Sequence, residues 1–264
     1  MALYEWLEAS RVSICLLFLF IASIYDVKTR EVPNAVWAVF APLGAALTVA
    51  SLVFGGLDHS FLILWVLSAA LTICLSMALF YLGLFGGADA KALMCISASM
   101  PTHPRLFTPI FKLLIPLLPI STFNNAVLSA SLLTFVMLAK NLADLIKHKG
   151  RIFEGLEGEK LATKFLAFIT GFRAEAEKVR SGRHNYIILE QIRRENGKEK
   201  RSLKIFQRLN SEEQDGAERI PDELNGKIWV TMGLPFLVFI AVGFAATLFI
   251  GDIVFWLAVL AVQH

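Results

Sequence analysis

Residues 61–85 read FLILWVLSAALTICLSMALFYLGLF and contain no charged side chain. A helix of about 20 apolar residues crosses the hydrocarbon core of a bilayer, so this stretch alone predicts a transmembrane helix. The whole chain agrees, since its 264 residues are 56% hydrophobic and 18% charged, with a mean hydropathy of +0.62. Water-soluble domains are closer to roughly 45–50% apolar. The sequence therefore indicates an integral membrane protein.

Further apolar runs lie on both sides of this stretch, and together they predict an all-α, polytopic membrane protein with six transmembrane helices. The fourth helix starts after Asp89 and is interrupted by PTHPR at 101–105. It is either a short span followed by an outer-face helix over 106–120, or a broken span. In the last run, Gly251 and Asp252 mark where the helix leaves the membrane or bends. The remaining spans are predicted at 11–25, 35–54, 61–85, 123–146 and 228–262.

Charge divides the chain into three parts. Of the 47 charged residues, 34 lie in 140–227. We therefore predict a membrane core over 1–147 with helices one to five, a charged segment over 148–227, and a C-terminal transmembrane helix over 228–264. One apolar patch in the charged segment, LATKFLAFITGF at 161–172, predicts either an amphipathic helix on the lipid headgroups or the core of a small subdomain.

The distribution of basic residues predicts the orientation, because cytoplasmic loops carry an excess of Lys and Arg. With the N-terminus outside, the inner connections hold Lys28, Arg30, Lys91 and the 19 basic residues of 140–227. The outer connections hold Arg11, Arg105 and Lys112. Both termini are therefore expected outside the cell membrane, and the charged segment in the cytoplasm.

Several classes of function are disfavoured by composition. The basic residues are interleaved with acidic ones rather than gathered in a stripe, which argues against nucleic acid as a partner. Cys15, Cys74 and Cys95 lie in apolar runs without metal-ligand spacing. We expect no metal site and no cofactor, while the membrane lipid is an expected partner. The oligomeric state cannot be predicted.

Two aspartates at helix ends are the candidate catalytic groups. Asp26 closes the first span in IYDVKTREVPN, and Asp89 opens the fourth in GLFGGADAK. Ionisable groups at the membrane are costly and therefore often functional. Because two complete crossings separate them, both carboxylates must lie on the same side of the membrane. Singly, each is compatible with an ordinary helix cap or a juxtamembrane charge.

The sequence around the aspartates supports a meeting of the two. Gly86, Gly87 and Ala88 remove bulk before Asp89, which permits close approach of another backbone, such as a substrate peptide. Lys28, Arg30 and Lys91 lie near the two carboxylates in sequence and would favour an anionic site.

These motifs resemble those of a known family. Tyr25-Asp26 with its basic tail and GGADAK at 86–91 are similar to the two catalytic motifs of the type IV prepilin peptidases, the GxGD class of membrane aspartyl proteases. The resemblance to the archaeal preflagellin peptidase branch continues through Ile228-Trp229-Val230-Thr231 and Ile250-Gly251-Asp252, so it spans most of the chain. Ala88 replaces the second glycine of the motif name, and the cysteine-rich methyltransferase insertion of the bacterial enzymes is absent.

The resemblance implies an aspartic-type endopeptidase that removes short leader peptides from archaellin or pilin precursors at the cytoplasmic face. Asp26 and Asp89 would share one proton, activate a water and polarise the scissile carbonyl. Helix dipoles favour Asp89 as the base and Asp26 as the acid.

A rival interpretation is a proton-coupled transporter with paired intramembrane aspartates, which would require acids at mid-depth and discontinuous helices repeated in two halves. Neither feature is visible in the sequence. A structural protein without catalysis is a third possibility.

Overall fold

The computed structural model describes residues 2–54, 59–111, 115–148, 151–180, 186–195, 198–203, 226–232 and 235–263. Helices dominate the described chain, and a short 3-10 turn occupies Arg151–Phe153. The helices are α1 (Ala2–Thr29), α2 (Asn34–Phe54), α3 (His59–Tyr81), α4 (Gly87–Ser99), α5 (Leu118–Lys147), α6 (Leu161–Thr170), α7 (Ala176–Arg180), α8 (Phe236–Phe249) and α9 (Ile253–Gln263). The strands are β1 (Phe172–Glu175), β2 (Tyr186–Ile188), β3 (Glu190–Glu195), β4 (Lys198–Leu203) and β5 (Lys227–Met232).

The chain forms two compact units, one of Met1–Ala130 with Pro235–His264 and one of Ser131–Leu234. The boundaries between these two units fall near residues 130 and 234. The second half of α5 belongs to the second unit because it packs there: the Asn141 side chain donates hydrogen bonds to the Phe168 and Gly171 carbonyls.

Four helices of the described chain, α1, α2, α3 and α5, are long and apolar enough to cross a membrane, and α8 with α9 forms a fifth, bent candidate. The predicted count of six is not confirmed, because α4 has only 13 residues. Such a helix rises about 20 Å, less than the roughly 30 Å of a hydrocarbon core. Four or five candidate spans still indicate a multi-pass membrane protein.

The short helix α4 is the centre of the first unit. It packs against α1, α2, α3 and α8 and buries residues on several sides, among them Ala92, Leu93 and Ile96. Its C-terminal end lies against α2, where the Thr48 hydroxyl is within 3.0 Å of the Ala98 carbonyl oxygen and 2.9 Å of that of Ser99. A hydroxyl thus reaches carbonyls that have no partner within the helix.

The helix predicted over 106–120 does not form in the described residues before Leu118, where α5 begins. Proline recurs in this stretch and removes backbone donors that a helix needs. Instead, the Ile110 and Phe111 N–H groups donate to the carbonyls of Phe249 and Ile250 at the end of α8. The connection therefore pairs with a helix end rather than forming a helix.

The predicted bend at Gly251 and Asp252 is confirmed. α8 and α9 meet at 60°, and Gly251 has a φ of +103°. Asp252 is fully buried and caps α9, because its carboxylate accepts the Phe255 N–H at 2.9 Å and the Asn124 side-chain amide at 2.9 Å. A helix break inside a bundle thus has its freed backbone groups partnered by side chains.

The second unit corrects the all-α prediction. It contains a three-stranded antiparallel sheet in the order β1-β5-β2 and a two-stranded ribbon β3-β4. The prediction of a helix from residue 228 is wrong, because Lys227–Met232 is the central strand β5. Ile228 and Val230 pack on one side and Trp229 on the other, so β5 is apolar on both faces. A strand buried on both faces reads as a continuous apolar run, like a helix.

The apolar patch at 161–172 contributes to a core. In α6, Ala167 is buried and Phe168 packs with the cluster around Trp229, whereas Leu161 is 84% exposed and Phe165 63% exposed.

The second unit also contains a buried carboxylate. Glu190 accepts the Trp229 N–H at 2.8 Å and pairs with Arg201 at 3.1 Å. Burial raises the pKa of Glu190.

Within the first unit, α8 and α5 make a close backbone contact at Gly243. A Cβ at this position would lie 2.6 Å from both the Ala126 nitrogen and the Thr122 carbonyl oxygen. Backbone atoms cannot move aside as a flexible side chain can. Gly243 therefore permits a helix spacing that any side chain would widen.

We expect Gly243→Ala to lower the stability of the protein by about 1–3 kcal/mol through overpacking, although alanine ordinarily favours a helix over glycine by about 1 kcal/mol. The measurement is the thermal midpoint of the detergent-solubilised protein. Val242→Ala, at a neighbouring exposed position, serves as the control. An unchanged or higher midpoint for Gly243→Ala would contradict the close packing.

Candidate active site

Asp26 lies in the last turns of α1, which ends at Thr29. Arg30 follows with a φ of +60° and turns the chain toward α2. The Asp26 side chain is 14% exposed, and its Oδ1 lies 3.9 Å from a guanidinium nitrogen of Arg30. The other oxygen, Oδ2, accepts the backbone N–H of Leu237 at 3.3 Å. Asp26 therefore joins the end of α1 to the start of α8.

The start of α8 is a favourable place for a carboxylate. Pro235 is the N-cap of α8, so Leu237 is the second residue of the helix and its N–H has no partner within it. Such N–H groups, together with the helix dipole, attract negative charge. From the sequence, Asp26 has only the unfavourable C-terminal end of α1 beside it. The structure adds the favourable N-terminal end of α8.

Asp89 lies in the first turn of α4, three residues after the N-cap Gly86. Its Oδ2 accepts the Gly86 N–H at 3.0 Å, which is one half of a capping box. Gly86 has an ordinary extended backbone with a φ of −72°, but a Cβ there would lie 3.1 Å from Oδ2 of Asp89. Because Gly86 is a glycine and has no side chain, the Asp89 carboxylate has room to lie in this position.

The structure brings the two predicted carboxylates together at one end of the first unit. The Asp26 carboxylate lies close enough to Asp89 for its charge to act on that carboxyl group, and α1 contacts α4. The residues beside their backbone donors also meet, since the Phe85 and Phe236 rings have centroids 5.1 Å apart. Phe85 precedes Gly86, and Phe236 precedes Leu237.

The supporting residues predicted from the sequence take different positions. Of the three cations, Arg30 reaches a carboxylate, while the Lys91 ammonium donates to the Asn34 side chain at 2.7 Å. That bond ties the start of α2 to the helix of Asp89. Lys28 is exposed.

The two remaining small residues of the motif differ in their surroundings. A Cβ at Gly87 would make only an ordinary contact with Phe80 at 3.7 Å, and Ala88 packs against the hydrophobic core. Neither is crowded by described protein atoms at the site itself.

Sequence reasoning missed the N–H of Leu237. Leu237 is 211 positions from Asp26, and a backbone donor leaves no side-chain signal. Pro235 was the one local sign of a helix start here, because proline favours the first positions of a helix. The N–H groups of such a start lack partners within the helix.

Two sequence families match most of the chain between them. The profile of the type IV leader peptidase family matches residues 13–139, which include both aspartates. The profile described as Archaeal Peptidase A24 C-terminus Type II matches residues 163–253, which include Leu237. The two segments that meet at Asp26 thus fall in the matches to two peptidase profiles.

Curated relatives cover nearly the whole chain. The preflagellin peptidase of Methanococcus voltae is 29% identical over 91% of this chain and 94% of its own length. The preflagellin peptidase of Methanocaldococcus jannaschii is 27% identical over 89% and 91%, respectively. That of Methanococcus maripaludis is 27% identical over 89% and 92%. With the profile matches and the membrane-spanning helices, these similarities show an aspartic-type membrane protease that is similar to the type IV leader peptidases over most of its length.

Proposed function

We propose that this protease removes the short N-terminal leader from archaellin or type IV pilin precursors, with Asp26 and Asp89 as its catalytic pair. The observation that carries the proposal is the proximity of these two carboxylates at one end of the bundle, where the charge of one acts on the other. The substrate class is supported by the curated relatives, which are named preflagellin peptidases.

The chemistry follows from the proximity of two carboxylates. Two such groups in a partly buried site cannot both ionise cheaply, so they share one proton. The ionised group takes a proton from a water, whose oxygen attacks the scissile carbonyl carbon. The protonated group donates to the carbonyl oxygen, and proton transfer to the amide nitrogen then releases the new N-terminus. No covalent enzyme intermediate is needed.

In this mechanism the two aspartates share the roles of acid and base. The dipoles of α1 and α4 alone favour Asp89 as the base. Since Asp26 also faces a helix N-terminus through the Leu237 N–H, helix dipoles no longer separate the two groups. The pair titrates as a unit, and each proton loss belongs to both carboxylates.

The proposed location is the cytoplasmic side of the cell membrane, with both termini outside. Two helices long enough to cross, α2 and α3, lie between Asp26 and Asp89, which supports a common side for both. The basic residues of the inner connections favour the cytoplasmic side. A precursor with its apolar helix in the bilayer would present its leader there.

The transporter alternative is not favoured. One feature expected of a transporter is present, a discontinuous helix, in the bent pair α8–α9. However, Asp26 and Asp89 lie near helix ends rather than at mid-depth. The similar curated proteins are peptidases. In the described chain no second helix pair shows such a break.

We expect Asp26→Asn and Asp89→Asn each to lower leader cleavage by about 10²–10⁴-fold, because an amide cannot exchange the proton. The double variant should be no slower than the single variants, since the pair acts as one unit. The measurement is the rate at which membranes containing the enzyme shorten a tagged precursor.

Asp144→Asn provides the matched control, because Asp144 lies on α5 in the second unit, outside the pair. Thermal midpoints show whether each variant is folded. Full activity in either site variant would refute the proposed pair, and failure of the wild type to shorten any archaellin or pilin precursor would refute the substrate class.

A second prediction concerns the space beside Asp89. Gly86→Ala would place a methyl group about 3.1 Å from the Asp89 carboxylate and displace it, so we expect kcat to fall about tenfold with little change in KM. Gly87→Ala should leave the resting carboxylate undisturbed, because its methyl group meets only Phe80 at 3.7 Å. Steady-state kinetics of both variants test this, and an unchanged kcat in Gly86→Ala would disprove it.

A further inference from the structure

A groove of about 520 Å³ lies between α1 and α8 in the first unit. On α1 it is lined by side chains from Leu16 to Lys28, and on α8 by side chains from Val238 to Ala245. Nearly all of them are apolar. The Ser23 hydroxyl is already bonded to the Leu19 carbonyl oxygen at 2.7 Å, so it offers little to a polar ligand. The lining thus suits an apolar occupant.

Both walls of the groove lead to the candidate active site. On α1 the lining residues Val27 and Lys28 directly follow Asp26, and on α8 the lining residue Val238 directly follows Leu237. Asp26 and Leu237 are joined by the hydrogen bond that connects the two helices. An apolar element in the groove therefore has one end beside a proposed catalytic carboxylate.

The two walls of the groove are long enough to pack against a short helical segment. Leu16 to Lys28 span about 18 Å along α1, and Val238 to Ala245 about 10 Å along α8, which corresponds to two or three helical turns. Ser23 on one wall and Ala241 and Ala245 on the other are small, as in surfaces against which membrane helices pack closely.

We propose that this groove binds the apolar helix of the precursor and thereby places the preceding peptide bond at Asp26 and Asp89. This inference rests on the proposed function, because it takes the precursor as the substrate. The groove selects for a membrane-embedded helix, and the aspartates act at its end. Binding energy from this remote part of the substrate positions the scissile bond.

Filling the groove away from the aspartates tests the proposal. Ala245→Phe acts eight residues beyond Leu237, about 12 Å along α8. We expect it to raise the KM for a membrane-inserted precursor about tenfold while kcat changes little. Ala70→Phe is the matched control, since Ala70 is exposed on α3, outside the groove. Thermal midpoints identify any loss of folding.

A direct contact measurement accompanies the kinetics. A photoreactive phenylalanine at position 242, on the exposed side of the groove, should crosslink to the apolar segment of a precursor kept uncleaved by Asp89→Asn. The same group at position 70 should not. Adducts with lipid alone at position 242, or equal adducts at both positions, would overturn the proposal.

The outcomes separate the two levels of inference. A wild type that cleaves no precursor refutes the proposed function. A wild type that cleaves the precursor, together with an Ala245→Phe variant of unchanged KM, refutes the groove alone. The groove is supported when the KM rises in Ala245→Phe and the adduct with the precursor forms at position 242.

Discussion

Helix ends inside an apolar bundle constrain the first unit of this protein more than any other feature. A helix leaves its first N–H and last C=O groups without partners, and a membrane offers no water to bind them. Three such ends are met by side chains: the Leu237 N–H of α8 by Asp26, the last carbonyls of α4 by Thr48, and the break before α9 by Asp252. The short helix α4 and the bent pair α8–α9 are possible because these partners exist.

The same constraint explains why the proposed catalytic groups sit where they do. Asp26 and Asp89 each accept a backbone N–H, so each is oriented by the fold before any substrate arrives. Preorganised donors lower the cost of holding charge at a partly buried site. An asparagine keeps an oxygen that can accept the same N–H, whereas it cannot exchange the proton. Loss of activity in such a variant therefore separates chemistry from structure.

Much of this arrangement is encoded locally and could be predicted. The runs that form α1, α2, α3 and α5 are long and apolar, and an even number of crossings between Asp26 and Asp89 predicts a common side. The remainder depends on contacts between distant segments. β5 reads as the start of a helix because it is buried on both faces, and only its pairing with β1 and β2 makes it a strand. The bond from Leu237 to Asp26 joins the chain across 211 positions.

The break between α8 and α9 also bears on the choice between hydrolysis and proton transport. Discontinuous helices in transporters leave backbone groups open to an ion or substrate. Here the corresponding groups are occupied: the Asn125 side chain binds the Gly251 carbonyl and the Ile253 N–H, while Asp252 binds Phe255 and Asn124. A buried aspartate with both oxygens engaged is suited to hold a bend rather than to pass a proton. Asp26 and Asp89 differ from it in being only partly buried, and this exposure favours hydrolysis as their proposed chemistry.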